Sequence, residues 1–264
     1  MRKLLFLAAL PALLFPTMAA AQSGFDGTWK NDVTTVNPSE KPDEFLLMGG
    51  MYECKTCSPP FKVKADGTDQ PINGNPYIDT VAIKVVNDHE IEETDKKGGK
   101  VVGTSKVTAA PDGKTVSITF SDSTDTNGGP PVTGQAEATQ VAKGPEGSHP
   151  VSGSWRMSKL ESVSDNGLVW TYKVNGDQIT MTTPTGQTYT DKLDGTDAPM
   201  MGDPGVSSVS VMMNGADTLV ETDKRDGKVI GIMTMTIGGD GKTAKISYDD
   251  KLQNRTNQVQ AIKQ

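Results

Sequence analysis

Hydrophobic and polar positions alternate with a period of two along most of the chain. Val81, Ile83 and Val85 interleave with Ala82, Lys84 and Val86, and 128 positions further on Val209, Val211 and Met213 keep the same phase. Alternation rich in β-branched residues predicts half-buried strands. Ile91 and Glu93, matched by Leu219 and Glu221, share one face of the next strand, which runs into TDKKGG in one case and TDKRDG in the other. Strands over 101–109 and 229–237 follow, then strands over 116–120 and 244–248. Between them lie the turns Pro111-Asp112-Gly113 and Gly239-Asp240-Gly241, where glycine supplies the positive φ of a tight hairpin. No stretch of helical period competes. Successive hairpins of this kind make an antiparallel meander.

The matching phases reflect a duplication. Asp66 to Asp122 aligns with Asp194 to Asp250 without a gap over 57 residues, of which 23 are identical. DGTD, ETDK and DGKT occur in both copies, so the repeat defines a module. Outside this stretch, Phe25-Asp26-Gly27-Thr28-Trp29-Lys30 and Val151-Ser152-Gly153-Ser154-Trp155-Arg156 share Gly-x-Trp followed by a base. Each opens a module, and Gln140–Lys143 and Gln260–Lys263 close them. The Gly/Pro-rich GPEGSHPVSG places the boundary near Gly144 to Pro150. Shorter segments at 51–56, 60–64, 168–174, 178–183 and 187–193 bring the count to seven or eight strands per module. The expected organisation is a leader over 1–21, a first β module over 22–146 and a second over 147–264. The fold class is all-β, with two tandem up-and-down barrels.

A Gly-x-Trp first strand, a meander of about eight strands and a lysine on the last strand resemble the lipocalin, or wider calycin, plan. The TDY-type motif of true lipocalins is absent. That resemblance implies that Trp29 pairs with Lys143, and Trp155 with Lys263, to close one end of each barrel. The chain past the leader also resembles a group of uncharacterised exported bacterial proteins, on MYECKTCSPPFKVKADGTD, IEETDKKGGKVV, DGKT, GSHPVSGSWR and LDGTDAP. This second resemblance implies export and a duplicated lipocalin-like fold, without an activity.

The N-terminus agrees with export. Arg2 and Lys3, an apolar run from Leu4 to Phe15 and the small residues Ala19, Ala20 and Ala21 read as a secretory signal cut near Ala21, which places the protein in the periplasm or outside the cell. No other segment has the roughly 18 apolar residues of a membrane-spanning helix. Without Arg2 and Lys3, the 26 basic residues fall to 24 against 33 acidic ones, a net charge of −9. A field of that sign disfavours nucleic acid as a partner. No protein partner is indicated.

Candidate chemistry is sparse. Cys54 and Cys57 are the only cysteines, and in an exported chain they are expected to form a small-loop disulfide. A redox pair, a pair of free thiols and a thiolate metal site are the alternatives. His89 and His149 lie in a turn and in the inter-module stretch, so no triad or zinc site is expected, and neither a catalytic residue nor a metal or cofactor is assigned. Glu93 and Glu221 stand in phase with apolar neighbours. Either they face a barrel interior as ligand handles or acids, or they reach solvent and pair with Lys96 or Lys224. Met200, Met201, Met212, Met213, Met233 and Met235 make the second module soft, as a pocket or as core filling. Trp170 and Tyr172 alternate on one strand as natural pocket residues. The ligand-binding candidates are therefore Glu93, Glu221, Trp170, Tyr172, Met213, Met233 and Met235. The leading functional expectation is non-enzymatic binding of a small apolar or amphipathic ligand. The alternatives are a structural or protein-interaction module with filled barrels, and a redox or isomerase-type enzyme.

Overall fold

The structure, a computed structural model, describes residues 24–264, so the expected leader over 1–21 lies outside the described residues. The chain begins with β1 (Gly27–Asn37), β2 (Asp43–Met48), β3 (Met51–Cys54), β4 (Phe61–Lys64), β5 (Gln70–Pro71), β6 (Thr80–Asn87), β7 (Glu90–Lys97), β8 (Lys100–Ala109), β9 (Thr115–Asp122) and β10 (Val132–Lys143). It continues with β11 (Gly153–Val163), a single 3-10 turn at Asp165–Gly167, β12 (Val169–Asn175), β13 (Gln178–Thr182), β14 (Thr188–Lys192) and β15 (Asp194–Pro199). The last strands are β16 (Ser208–Met213), β17 (Thr218–Arg225), β18 (Lys228–Ile237), β19 (Thr243–Asp250) and β20 (Arg255–Lys263).

Two antiparallel sheets of ten strands result, each curled into a nearly closed barrel. The expected count of seven or eight falls short because β2, β5 and β15 carry little alternation. In DEFLLM, for example, four apolar residues run together, although only Leu47 is buried. The second barrel closes where Thr188 and Met201 exchange backbone hydrogen bonds at 3.0 and 2.9 Å. In the first barrel the position matching Thr188 is Pro60, which has no N–H to donate.

The strand composition of the barrels differs from the expected division at residue 146. The first sheet runs β4-β3-β2-β11-β10-β9-β8-β7-β6-β5, and the second runs β14-β13-β12-β1-β20-β19-β18-β17-β16-β15. The two Gly-x-Trp strands have therefore changed places. β11 inserts between β10 and β2 of the first barrel, whereas β1 inserts between β20 and β12 of the second. The expected closing pairs are corrected accordingly. Trp29 stands opposite Lys263, whose Nζ lies 5.3 Å from the indole centroid, and Lys143 pairs with Gly153 two residues before Trp155.

The cause is local. GPEGSHPVS is a hairpin turn, with Ser148 N–H bonded to Pro145 O and Ser152 N–H to His149 O, so β11 folds directly back onto β10. A short hairpin costs little closure entropy, and the vacant slot beside β20 goes to β1. Both slots impose the same geometry. Trp29 Nε1 donates to Phe25 O, and Trp155 Nε1 to Val151 O, each at 2.9 Å. The two indoles are buried. Gly27 and Gly153 adopt φ of +125° and +136°, where an L side chain is strained. A Cβ on Gly153 would also stand 2.4 Å from Ala142 O.

Several specific contacts join the barrels, one of them between positions that the duplication makes equivalent. Tyr77 packs on Gly205, its own counterpart 128 positions on, where a Cβ would lie 2.0 Å from the phenol oxygen. The Tyr77 hydroxyl donates to Asp203 at 2.9 Å. Asn127 Nδ2 donates to Thr185 O and Gly202 O, both at 3.0 Å, and Arg255 pairs with Asp43 at 2.7 Å.

Trp29→Ala removes a fully buried indole, which costs about 3–5 kcal/mol. Because β1 belongs to the second barrel, the loss of amide hydrogen-exchange protection is expected first in strands between residues 169 and 263, with the strands between 43 and 143 affected less. Loss confined to 43–143 would contradict the strand exchange.

Candidate functional site

β7 and β17 carry the same Glu-Thr-Asp, and their period of two turns Glu93 with Asp95, and Glu221 with Asp223, toward the barrel interiors. Glu93 lies between Ile83 of β6 and Ser105 of β8, and Glu221 between Val211 of β16 and Met233 of β18. Asp95 and Asp223 face Gly103 and Gly231. The alternative partners for the glutamates are engaged elsewhere: Lys96 binds Asp69 at 2.6 Å, and Lys224 binds the equivalent Asp197. Among the described residues neither carboxyl pair has a cationic partner, and no group of three or more ligating side chains is arranged to hold a metal ion.

Desolvation dominates the titration of these acids. It pushes Glu93 up to about 8, helped by the charge of Asp95 and a hydrogen bond shared with it, and it raises Asp95 to about 6. Glu221 is likewise raised to about 8 by desolvation and by Asp223, and Asp223 is itself raised. Each pair therefore tends to retain a proton between its two carboxyls near neutral pH.

The two interiors satisfy their acids differently. In the second barrel, the Tyr189 hydroxyl donates to Glu221 Oε2 at 2.5 Å, and the Tyr248 hydroxyl reaches across Gly231 to Asp223 at 3.2 Å. Tyr172 packs edge-on against Trp170, with centroids 6.3 Å apart. The Trp170 indole N–H lies toward the Tyr172 hydroxyl without reaching hydrogen-bond geometry. Trp170, Tyr172, Glu221 and Met233 line one small pocket of about 220 Å³, whereas Met235 is fully buried in the core and Met213 packs at its edge. Of the remaining methionines in that module, Met201 and Met212 are exposed.

In the first barrel both phenols are missing. Strand register places Phe61 where Tyr189 stands, since they face Cys54 and Met181 respectively, and Phe120 matches Tyr248. The Phe120 ring packs over Gly134 rather than Gly103, and Asp95 Oδ1 is buried with no hydrogen-bond partner. Ser105 and Val107 replace Met233 and Met235, which opens space. A cavity of about 280 Å³ runs between Phe45, Tyr52, Val107, Ile118 and Trp155, with Glu93 and Ser105 in its wall. The same two residues border a wider, open depression of about 770 Å³. That depression is lined mainly by outward-facing residues of the same strands, among them Glu92, Thr94, Thr104 and Lys106, so Glu93 stands in the wall of an apolar chamber on the inner face.

Cys54 and Cys57 form a disulfide with Cα atoms 5.5 Å apart, and Cys57 borders the 280 Å³ cavity. The DGTD turns are Asx turns: Thr68 N–H bonds Asp66 Oδ1 at 2.9 Å, and Thr196 N–H bonds Asp194 Oδ1 at 3.0 Å. His149 accepts the Val151 N–H inside the β10–β11 turn, far in role from any catalytic array.

Sequence reasoning passed over Asp95, Asp223 and the Tyr/Phe exchanges at 189/61 and 248/120. The usable signal was ETD, two acids spaced two apart on a strand and present in both copies. The chain matches no protein-family model and is similar to no curated protein. What the fold and site define is a pair of interlocked ten-strand barrels, each with a desolvated carboxyl pair inside.

A carboxyl whose folded pKa exceeds its unfolded value binds protons more tightly when folded. The contribution of Glu93 and Glu221 is fully present below about pH 4.5 and is lost as pH rises through about 8. Urea unfolding midpoints are therefore expected to fall between pH 5 and 8, and the slope should flatten in Glu93→Gln/Glu221→Gln. A flat or rising profile in the unaltered protein would contradict the desolvated placement.

Proposed function

We propose that this is an exported, lipocalin-like binding protein without catalytic activity, whose first barrel holds a small apolar or amphipathic molecule. The observation that carries this reading is the 280 Å³ cavity walled by Phe45, Tyr52, Val107, Ile118 and Trp155 and containing Glu93. Ligand sites are typically apolar concavities with a few placed polar groups, and this chamber has that composition. The resemblance of the N-terminal region to a secretory signal and the Cys54–Cys57 disulfide support export. The second barrel, with tyrosines satisfying its acids and methionines filling its interior, serves better as a structural partner. Its smaller pocket beside Trp170 and Tyr172 is a secondary position at most.

Titration with Nile red tests the reading. The dye is expected to bind with a blue-shifted emission. Ser105→Met/Val107→Met gives the first barrel the methionines of its sister and should weaken binding by about tenfold or more, the equivalent of about 1.4 kcal/mol. Met233→Ala in the second barrel should leave it unchanged. No dye uptake, together with a bare polypeptide mass by native mass spectrometry of protein purified from its host, would overturn the proposal.

A further inference from the structure

We infer that the ligand of the first barrel presents a hydrogen-bond-donating cation, a primary ammonium on an apolar body, to Glu93 and Asp95. The inference rests on the reading of this barrel as a binding cavity and specifies the chemistry of what enters it.

The duplication supplies an internal control. The same Glu-Thr-Asp faces the same position in both barrels, so the protein shows what these acids require when no ligand is involved. In the second barrel each acid receives a phenolic O–H, from Tyr189 and from Tyr248. In the first barrel those positions are Phe61 and Phe120, rings of the same size without the hydroxyl. Two donors are absent while both acceptors are present. Asp95 Oδ1 is left buried and unpartnered, a state that costs free energy unless something else donates. The missing donors coincide with the barrel in which Ser105 and Val107 make room.

Charge distinguishes an ammonium from a neutral donor. The other charged group lining the chamber already has a counter-ion, since Asp43 pairs with Arg255 at 2.7 Å, and on the outward face of the same strands Glu92 pairs with Lys84 and Lys106 with Glu90, both at 3.2 Å. Glu93 and Asp95 are the uncompensated pair, and Glu93 is the member that borders the cavity. An ammonium brings three N–H donors and a positive charge to a carboxyl pair that has no cation and no donor beyond the proton it shares. Its apolar body would lie along Val107, Ile118 and Phe45. An anionic amphiphile such as a fatty acid would add a second negative charge to a proton-sharing pair that already carries one, and the same argument disfavours it.

Displacement of Nile red from the full-length mature protein at pH 7 by n-octylammonium and by n-octanol tests this directly, since the two share a chain and differ in the head group. The ammonium is expected to displace the dye at about tenfold lower concentration or better, the effect of hydrogen bonding to a charged group. Glu93→Gln should bring the two ligands level while dye binding persists. Phe61→Tyr, which places a phenol at the position matching Tyr189 without changing charge, should do the same. Equal displacement by octanol and octylammonium in the unaltered protein, with the dye bound, would overturn the ammonium assignment and leave the cavity reading standing. Failure of dye and both competitors to bind would overturn the cavity reading, and this inference with it.

Discussion

Everything in this protein depends on closing two long antiparallel sheets. A ten-strand sheet left open would expose two unpaired edges and one apolar face. Continuity of each sheet passes through one strand that carries a buried tryptophan two residues after a glycine at strongly positive φ. The indole packs in the core and ties itself to the carbonyl four residues earlier. The duplication provides two such strands for two slots. Chain connectivity then decides, and the tight turn after β10 assigns β11 to the first barrel. The units that fold are consequently not the units that repeat.

That exchange has an energetic consequence for the whole chain. Each barrel contains a strand encoded beside the other, so the two interiors are coupled through β1 and β11 as well as through Tyr77 on Gly205 and Arg255 on Asp43. Glycine at 205 is what lets a tyrosine from its counterpart position approach so closely.

Inside this frame the duplicated acids diverged in their surroundings and not in their identity. Glu93 with Asp95 and Glu221 with Asp223 occupy matching positions on matching strands and are desolvated alike. One barrel supplies hydroxyls to them and fills the remaining volume with Met233 and Met235. The other replaces hydroxyl by hydrogen at two rings and methionine by serine and valine, and it gains a chamber. A copy freed from packing constraints by its twin can accumulate such changes, because each removes an internal contact that a bound molecule could replace.

The period-two pattern, the glycine-marked turns and the 128-residue repeat were sufficient to read an all-β duplicated architecture, because alternation and turn chemistry are local properties. The exported context led to the expectation of a Cys54–Cys57 disulfide, which the structure contains, and the alternation flagged Glu93 and Glu221 by their phase with apolar neighbours. These local patterns did not show which Gly-x-Trp strand enters which barrel, since both strands satisfy the same local rules and the choice rests on hairpin connectivity. Nor did they show that Phe61 and Phe120 withhold donors from Glu93 and Asp95. Phe61 and Phe120 are remote from the ETD segment along the chain, and the loss of a hydroxyl matters only once folding has brought those rings and acids into one desolvated interior, where an unmet hydrogen bond is no longer supplied by water.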